Sequence, residues 1–327
     1  MKSLLFKSLF IPIVIFCSSK AFSEPIPYPY PVHYFSLNAD GTNLQMAYMD
    51  VKPESANGSS VILFHGKNFN GFYWEKVIKA LTTAGYRVIA PDQIGWGKSA
   101  KPNMKYTFEI LANNNKLLLD SLGIHQVNVI GHSMGGMLAA RFSLMYPRLV
   151  TKLILEDPLG LEDYKKFIPM QTIESLYKNE LKATYVSYKK YQQSYYPLWK
   201  PDYEIYVKVQ AEPLQQKDFA SVAYVNALTW QMIYEQPVLY EFKNLSMPVL
   251  LIVGGKDRTI LGKKLLNKKE QALHGNFPIL AKKAAAQIKN AQVIIIPGVG
   301  HIPHIQTTEI FNTDAIKFLG KANNATD

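Results

Sequence analysis

The sequence predicts an α/β fold: a doubly wound, mostly parallel sheet with helices on both faces and an inserted helical cap. Two observations support this prediction. Short, almost wholly apolar runs, typical of buried parallel strands, alternate with longer segments that show helical periodicity. Polar and glycine-rich clusters directly follow these runs, where the carboxyl ends of parallel strands form ligand sites in such folds.

Length and composition allow one large domain or two small ones. The 327 residues are 48% hydrophobic and include 19 glycines and 19 prolines, enough to bury a sizeable core without cross-links. The net charge is +11, but the basic residues are spread thinly and form no nucleic-acid-binding motif. We therefore expect no nucleic-acid partner. The oligomeric state is left open.

The N-terminal residues predict a secretory signal peptide over 1–23. Two lysines precede an apolar run at 9–17, and small residues stand at the −3 and −1 positions of the tripeptide 21–23. The alternative, an uncleaved membrane anchor, is disfavoured because the run is short for a span. We expect a bacterial periplasmic or secreted protein without stable membrane insertion. Cys17 is the only cysteine, so the mature chain would lack disulfides and thiolate metal sites.

The regular elements follow from the alternation of patterns. An extended proline-rich lead-in precedes two strands around the turn 38–41, which predict an antiparallel opening hairpin. Thr107 is a candidate helix cap, and Gly123 a candidate helix stop. The predicted strands are 32–37, 44–51, 61–64, 86–90, 127–130, 153–157, 249–253 and 293–296. The predicted helices are 74–83, 107–122, 134–146 and 309–319.

One segment interrupts this alternation. Residues 159–240 contain no convincing buried strand but hold 12 of the 20 tyrosines. We interpret them as a helical cap inserted into a core formed by 24–158 and 241–327, and placed over the site. Whether individual tyrosines line a pocket or only pack against one another stays open.

The stretch around Ser133 organises the predicted site. A mostly β-branched strand leads into Gly131-His132-Ser133-Met134-Gly135, and a helix of small and apolar residues follows. Strand, tight turn and helix are the context that the pattern G-x-S-x-G needs to lift a serine hydroxyl above the sheet. Glycines give the turn room, and the Met134 amide at the helix start can stabilise developing negative charge. Ser133 is therefore the predicted nucleophile.

A serine nucleophile needs a histidine base and a carboxylate that orients this base. His301 is the predicted base, because it follows the last strand on a glycine-rich loop; His304 is the alternative. Asp257, just after the strand 249–253, is the predicted acid, although it could instead cap a helix. Asp157 is the alternative acid. Asp92 precedes the serine and is expected to brace its own loop.

The second oxyanion donor is expected from the loop after the strand 61–64, and the Lys67 amide is the candidate. The Lys67 side chain could face an anionic group of the substrate or solvent, and solvent is favoured. His65 is interpreted as a structural loop histidine, and the His132 side chain, inside the turn, is expected to point away from the partner of Ser133. No metal site and no cofactor are predicted. The candidate pocket residues are Asn68, Trp96, Trp199, Trp230 and His304.

These motifs together resemble the α/β-hydrolase fold family over almost the whole mature chain. The branch that they resemble includes epoxide hydrolases and haloperoxidase-like esterases. Its aspartate-nucleophile members carry aspartate where this chain has Ser133, so epoxide and haloalkane chemistry are disfavoured. The resemblance implies serine acyl transfer to water, an inserted cap and no cofactor. The motifs are His-Gly-Lys-Asn at 65–68, the loop 91–99, Gly-His-Ser-Met-Gly-Gly at 131–136, Gly-Lys-Asp-Arg-Thr at 255–259 and Gly-His at 300–301.

The function expected from the sequence is a secreted serine hydrolase with a Ser133–His301–Asp257 triad. Its substrate would be a small or medium carboxylic ester, thioester, lactone or amide, cleaved through an acyl-enzyme. Two alternatives stay open: a non-catalytic ligand-binding module on the same fold, and an acyltransferase that uses an alcohol or thiol instead of water.

Overall fold

The computed structural model describes residues 25–39 and 41–320 of the chain. The predicted signal peptide lies outside the described residues, so its presence and cleavage stay predictions. Within the described ranges, no helix combines the length and the apolarity needed to cross a membrane.

Within these described residues, eight strands form one sheet, and eleven α-helices surround it. The strands are β1 (Val32–Ala39), β2 (Thr42–Val51), β3 (Ser60–Phe64), β4 (Arg87–Pro91), β5 (Val127–His132), β6 (Val150–Glu156), β7 (Val249–Gly254) and β8 (Ala291–Ile296). The helices are α1 (Glu75–Thr83), α2 (Phe108–Ser121), α3 (Met134–Met145), α4 (Ile173–Glu180), α5 (Tyr185–Gln193), α6 (Glu204–Ala211), α7 (Phe219–Glu235), α8 (Lys268–Leu273), α9 (Phe277–Ala285), α10 (Pro303–Gln306) and α11 (Thr308–Gly320).

The sheet has the predicted mostly parallel, doubly wound architecture. Its strand order is β1-β2-β4-β3-β5-β6-β7-β8. The opening hairpin β1–β2 is antiparallel, β2 pairs antiparallel with β4, and the remaining pairs are parallel. Every residue of β5 and β7 is buried, because helices cover both faces of the central sheet. The carboxyl ends of β3 to β8 therefore lie at one edge.

The strand β6 extends beyond the apolar run that predicted it. β6 begins at Val150, three residues earlier than expected, and includes Thr151 and Lys152. Backbone pairing with β5 sets this start, and the Lys152 ammonium donates to the carbonyls of Phe318 and Leu319 at the end of α11. Strand length here depends on the pairing partner rather than on apolarity, so the sequence pattern underestimates it.

Residues 159–240 connect β6 to β7 and contain α4 to α7, with short 3₁₀ turns between them and no strand. We call this stretch the inserted segment. It touches the sheet edge through Tyr195, whose carbonyl accepts a hydrogen bond from the His301 amide at 2.8 Å. The Tyr195 ring lies 5.0 Å from the ring of His301. The segment thus contacts the edge at which the predicted site residues collect.

Candidate active site

Ser133 lies in the sharp turn between β5 and α3. Its backbone angles, φ 57° and ψ −119°, are unusual for a residue other than glycine. Such a conformation costs about 1–3 kcal/mol and persists only where the surroundings enforce it. Here the Ser133 amide donates to the Glu156 carbonyl of β6 at 3.0 Å, and the Ser133 carbonyl accepts from Leu159 at 3.0 Å. These bonds fix the turn that presents the hydroxyl.

Two glycines allow the close approach that makes this turn possible. A Cβ added at Gly131 would lie 2.2 Å from the Gly135 carbonyl oxygen, and one added at Gly135 would lie 2.1 Å from the Phe64 carbonyl oxygen. Both contacts are with backbone atoms, which cannot rotate away. The turn, the start of α3 and the end of β3 therefore pack at distances that only glycine permits.

We expect Gly135→Ala to lower the free energy of unfolding by about 3 kcal/mol or more, because the added methyl group collides with the backbone of β3. The better helix propensity of alanine, worth about 1 kcal/mol, cannot compensate. Urea denaturation measures the difference. Gly320→Ala is the matched control: it lies at the end of α11 with no atom within 4 Å of the new Cβ. A Gly135→Ala protein as stable as this control would contradict the packing argument.

The structure brings the three predicted catalytic side chains together. His301 follows β8, and its Nε2 lies 2.9 Å from Ser133 Oγ. Its Nδ1 lies 2.7 Å from Asp257 Oδ2, on the loop after β7. All three side chains are buried. With the proton on Nδ1, the imidazole donates to Asp257 and accepts the hydroxyl proton of Ser133, so one tautomer satisfies both contacts.

A second carboxyl group, Asp157, lies against Asp257. Burial opposes the ionisation of Asp257, but the neighbouring His301 and hydrogen bonds from His301, Asp157 and Thr259 lower its pKa below the usual value. Burial, the Asp257 charge and the hydrogen bond to it raise the pKa of Asp157 well above its usual value. Two adjacent carboxyl groups cannot both ionise readily. Asp157 is therefore the protonated member, and Asp257 is the carboxylate that faces the histidine.

Asp157, the alternative acid in the sequence analysis, thus supports Asp257 instead of contacting His301. Both of its oxygens lie 3.1 Å from the Gly254 amide, and its φ of 36° is in the left-handed region. Asp157, Asp257 and His301 also form a group whose ligand atoms lie within 4.8 Å of one another, close enough to hold a metal ion. Asp257 already forms hydrogen bonds with both His301 and Asp157. This chain of hydrogen bonds is suited to proton transfer.

We expect Asp157→Asn to keep most activity and stability, whereas Asp157→Ala loses both. An asparagine amide can donate to Asp257, its oxygen can accept from Gly254, and it tolerates positive φ. Alanine leaves the buried Gly254 amide unpaired, at a cost of about 1–3 kcal/mol. The turnover number and the urea midpoint of both variants test this. Equal losses in the two variants would contradict the hydrogen-bonding role.

The predicted oxyanion donors lie beside the serine. A Cβ added at Gly66 would lie 3.2 Å from Ser133 Cβ, so the loop after β3 passes directly over the nucleophile. Apart from bonds within helices and strands, no backbone carbonyl in the described part of the chain accepts a hydrogen bond from the amide of Lys67 or of Met134. The Met134 amide also opens α3, where the helix dipole favours negative charge. The role of the two amides as oxyanion donors stays a prediction.

Two side chains fix this loop from behind. His65 Nε2 accepts a hydrogen bond from the Gln93 amide at 3.0 Å, which agrees with the structural role expected for this histidine. Trp96 Nε1 donates to the Lys67 carbonyl at 2.6 Å. Asp92 braces the neighbouring loop, as expected, by accepting from the amides of Gly71 and Lys98 at 2.7 Å each.

A buried pair behind the triad was not found by sequence reasoning. Glu156, the last residue of β6, accepts from the His304 amide at 2.8 Å and lies 2.8 Å from its Nδ1. Burial raises the pKa of Glu156 to about 7 and lowers that of His304 well below its usual value. The pair anchors the loop that carries His301. The only sequence signal was a pair of adjacent acids at the end of β6 and a second histidine three residues beyond His301.

The expectations for His304 as alternative base or pocket residue are corrected by this placement. The His304 ring stacks on Trp74 at 4.3 Å and points its Nδ1 at Glu156, away from Ser133. The expectation that the His132 side chain points away from the partner of Ser133 is wrong, because its Nε2 lies 2.8 Å from the His301 carbonyl. Burial lowers the pKa of His132 to about 3. Neutral His132 therefore holds the backbone of the base.

A cavity of about 210 Å³ lies between the loops after β3 and β4 and the inserted segment. Lys67, Asn68 and Trp96 line it, and Tyr188 and Asn226 face them from the inserted segment. The expectation that the Lys67 side chain faces solvent is wrong, because this side chain is half-buried beside the cavity and burial lowers its pKa. Asn68 also donates to the Tyr195 hydroxyl at 2.8 Å, which ties the loop to the inserted segment.

Two further predicted pocket residues lie outside this cavity. Trp199 packs on the edges of Tyr196 and Tyr203, which stack on each other at 4.2 Å. Trp230 stacks on Tyr234 at 5.5 Å. Both tryptophans are corrected from pocket residues to packing residues, since each is engaged with aromatic neighbours within the inserted segment.

Comparison with known proteins agrees with this architecture. A family model described as alpha/beta hydrolase fold matches residues 59–308. The crystal structure of a probable hydrolytic enzyme from Pseudomonas aeruginosa superposes with a TM-score of 0.88 at 43% sequence identity, covering 90% of this chain and 96% of that chain.

Two curated relatives match shorter stretches. A 2-hydroxy-6-oxononadienedioate/2-hydroxy-6-oxononatrienedioate hydrolase of Burkholderia vietnamiensis is 34% identical over 157 residues, which are 45% of this chain and 52% of that protein. An uncharacterised protein of Mycobacterium tuberculosis is 39% identical over 107 residues, 33% of this chain and 31% of that protein. This chain therefore spans about half the length of these relatives, or less. Because the family model covers well over half of the chain, and the sheet order and the turn at Ser133 agree with it, the chain belongs to the α/β-hydrolase fold family.

Proposed function

We propose that this protein is a secreted serine hydrolase that cleaves a small or medium carboxylic ester, or a related thioester, lactone or amide. The observation that carries the proposal is the continuous hydrogen-bonded relay from Ser133 through His301 to Asp257. A serine hydroxyl is a weak nucleophile at neutral pH and becomes reactive when an oriented histidine accepts its proton. The proposed secretion is supported by the signal-peptide pattern of residues 1–23.

The geometry supports a two-step mechanism. Ser133 Oγ attacks the carbonyl carbon while its proton passes to His301 Nε2, and Asp257 stabilises the resulting imidazolium. The amides of Lys67 and Met134 hold the oxyanion; one such donor is worth about 10² to 10³ in turnover. His301 then protonates the leaving group, and the acyl group stays on Ser133. Water attacks this ester with His301 again as the base, which releases the acid and restores the serine.

The inserted segment is proposed to act as a cap that limits access to Ser133. Its Tyr195 contacts both the His301 backbone and the Asn68 side chain. The Ser133 side chain is buried, so a substrate must enter between the cap and the sheet edge. Exclusion of water around the relay would strengthen the electrostatic stabilisation of the oxyanion.

The test is hydrolysis of p-nitrophenyl esters of increasing acyl length by the protein purified without residues 1–23. We expect release of p-nitrophenol and, after rapid acid quenching, a mass increase of one acyl group on the peptide that contains Ser133. Absence of both, in protein that unfolds cooperatively, would contradict the proposal. Faster p-nitrophenol release on addition of an alcohol, with transfer of the acyl group to that alcohol, would identify an acyltransferase instead.

A further inference from the structure

Lys67 carries a charged side chain on the loop that we assign to the oxyanion hole. The preceding residue, Gly66, packs against Ser133, and the Lys67 carbonyl accepts from Trp96 Nε1. The side chain is half-buried next to the cavity beneath the inserted segment. Any group bound by the Lys67 ammonium would therefore lie within one side-chain length of the reacting carbonyl.

The Lys67 ammonium has no partner in the described part of the chain, where it forms neither an ion pair within 4 Å nor a side-chain hydrogen bond. The Glu180 carboxylate at the end of α4 lies beyond the ion-pair distance of 4 Å and affects Lys67 only by raising its pKa through its charge. This carboxylate accepts a hydrogen bond from Asn226. Burial without a partner disfavours a charge, which is why the pKa of Lys67 is lowered. An anion in the cavity would remove this penalty.

The charges around the cavity have the sign that an anion needs. Three lysines but only one carboxylate, Glu212, contribute to its lining. Glu212 is already engaged, since it accepts from the Ile26 amide at 2.7 Å. Lys101 donates to the carbonyls of its own loop, and Lys98 lies over the Tyr28 ring at 4.4 Å. Lys67 is the lining cation without such an engagement.

We propose that the Lys67 ammonium binds a carboxylate of the substrate, so that the preferred substrates are esters that carry a negative charge near the scissile carbonyl. This inference rests on the proposed hydrolase function and narrows its substrate class. Asn68 and Asn226 also line the cavity, and each amide has a second N–H besides the one that binds Tyr195 or Glu180. A hydrogen bond between charged groups adds about 1.5–3 kcal/mol, which corresponds to a preference of about ten-fold or more.

The test compares two pairs of esters that differ in charge. The p-nitrophenyl monoester of adipate is compared with p-nitrophenyl hexanoate, and 4-acetoxybenzoate with 4-acetoxybenzamide. The first pair places the charge on the acyl side and the second on the alcohol side. For each pair, the ratio of kcat/KM for the anionic and the neutral ester is measured in wild-type protein and in Lys67→Met, Lys67→Arg and Lys67→Glu. A general loss of activity cancels in this ratio.

We expect Lys67→Met to lower the ratio about ten-fold or more in at least one pair, Lys67→Glu to lower it further, and Lys67→Arg to retain it. The pair whose ratio falls shows whether Lys67 binds a carboxylate on the acyl side or on the alcohol side of the ester. Lys178→Met is the matched control and is expected to keep the wild-type ratio, because its exposed ammonium pairs with Glu174 and it does not line the cavity.

Two outcomes overturn the inference in distinguishable ways. If the neutral esters are cleaved but Lys67→Met and wild type give the same ratio in both pairs, the Lys67 inference fails and the hydrolase proposal stands. The same conclusion follows if Glu180→Gln reproduces the effect of Lys67→Met, because Lys67 would then serve to pair with Glu180. If no ester of either pair is cleaved by wild-type protein, both proposals are contradicted.

Discussion

Replacement of Ser133 by alanine is expected to lower kcat for ester hydrolysis by about 10⁴- to 10⁶-fold. The hydroxyl that His301 holds at 2.9 Å is the only group in the proposed mechanism that forms the covalent bond to the acyl carbon. Removing the nucleophile of a triad disables the base and the acid as well, because the three act as a unit. Steady-state kinetics with a p-nitrophenyl ester measures the loss.

The same variant separates an enzyme from a ligand-binding module. Ser133→Ala should keep the wild-type urea midpoint and should still bind the carboxylic acid product, since the cavity lining does not include Ser133. If the biological function were ligand binding alone, the Ser133→Ala variant would keep the full ligand affinity and all biological function. Retention of more than a tenth of the wild-type kcat would show that another group performs the attack.

Replacement of Asp257 by asparagine is expected to lower kcat by about 10⁴-fold. Asp257 accepts a hydrogen bond from Nδ1–H of His301, which leaves Nε2 unprotonated and able to take the serine proton. An asparagine amide can donate to Nδ1 and so stabilise the wrong tautomer, which is the reason for the large effect of this substitution in serine proteases. The affinity for substrate should change little, because Asp257 is buried behind the histidine.

Asp157 provides the control for this prediction, because it is a second carboxyl group close to His301. If Asp257→Asn lowered kcat by less than about ten-fold, Asp157 would be the group placed to orient the histidine. The double variant Asp157→Asn, Asp257→Asn would then show the full loss. If Asp257→Asn had only this small effect and the double variant were no worse, the orientation of His301 by a carboxylate would be contradicted.

The sheet and the relay could be predicted because both depend on local patterns. Apolar runs marked the strands, and the polar clusters that follow them had to meet at one edge once the strands were parallel. The order of Ser133, Asp257 and His301 along the chain then restricted the choice of partners. The lengths of the strands were less predictable, because pairing with neighbours extends β6 and β8 beyond their apolar cores.

The surroundings of the relay could not be predicted, because they depend on contacts distant in sequence. Nothing in the neighbourhood of Glu156 indicates that it would meet His304, 148 residues later. The side chain of Lys67 was expected in solvent because the loop alone does not reveal what covers it. Trp199 and Trp230 were expected in the pocket, but the packing of helices in the inserted segment turns them towards other aromatic rings.

The central claim is that His301 activates the Ser133 hydroxyl for attack. It is tested most directly by treating the folded protein with a fluorophosphonate and locating the adduct by peptide mass spectrometry. We predict a single stoichiometric adduct on Ser133 in wild-type protein, and labelling slowed at least about 10³-fold in a folded His301→Ala variant. An unlabelled Ser133, or a rate unaffected by the loss of His301, would contradict the account.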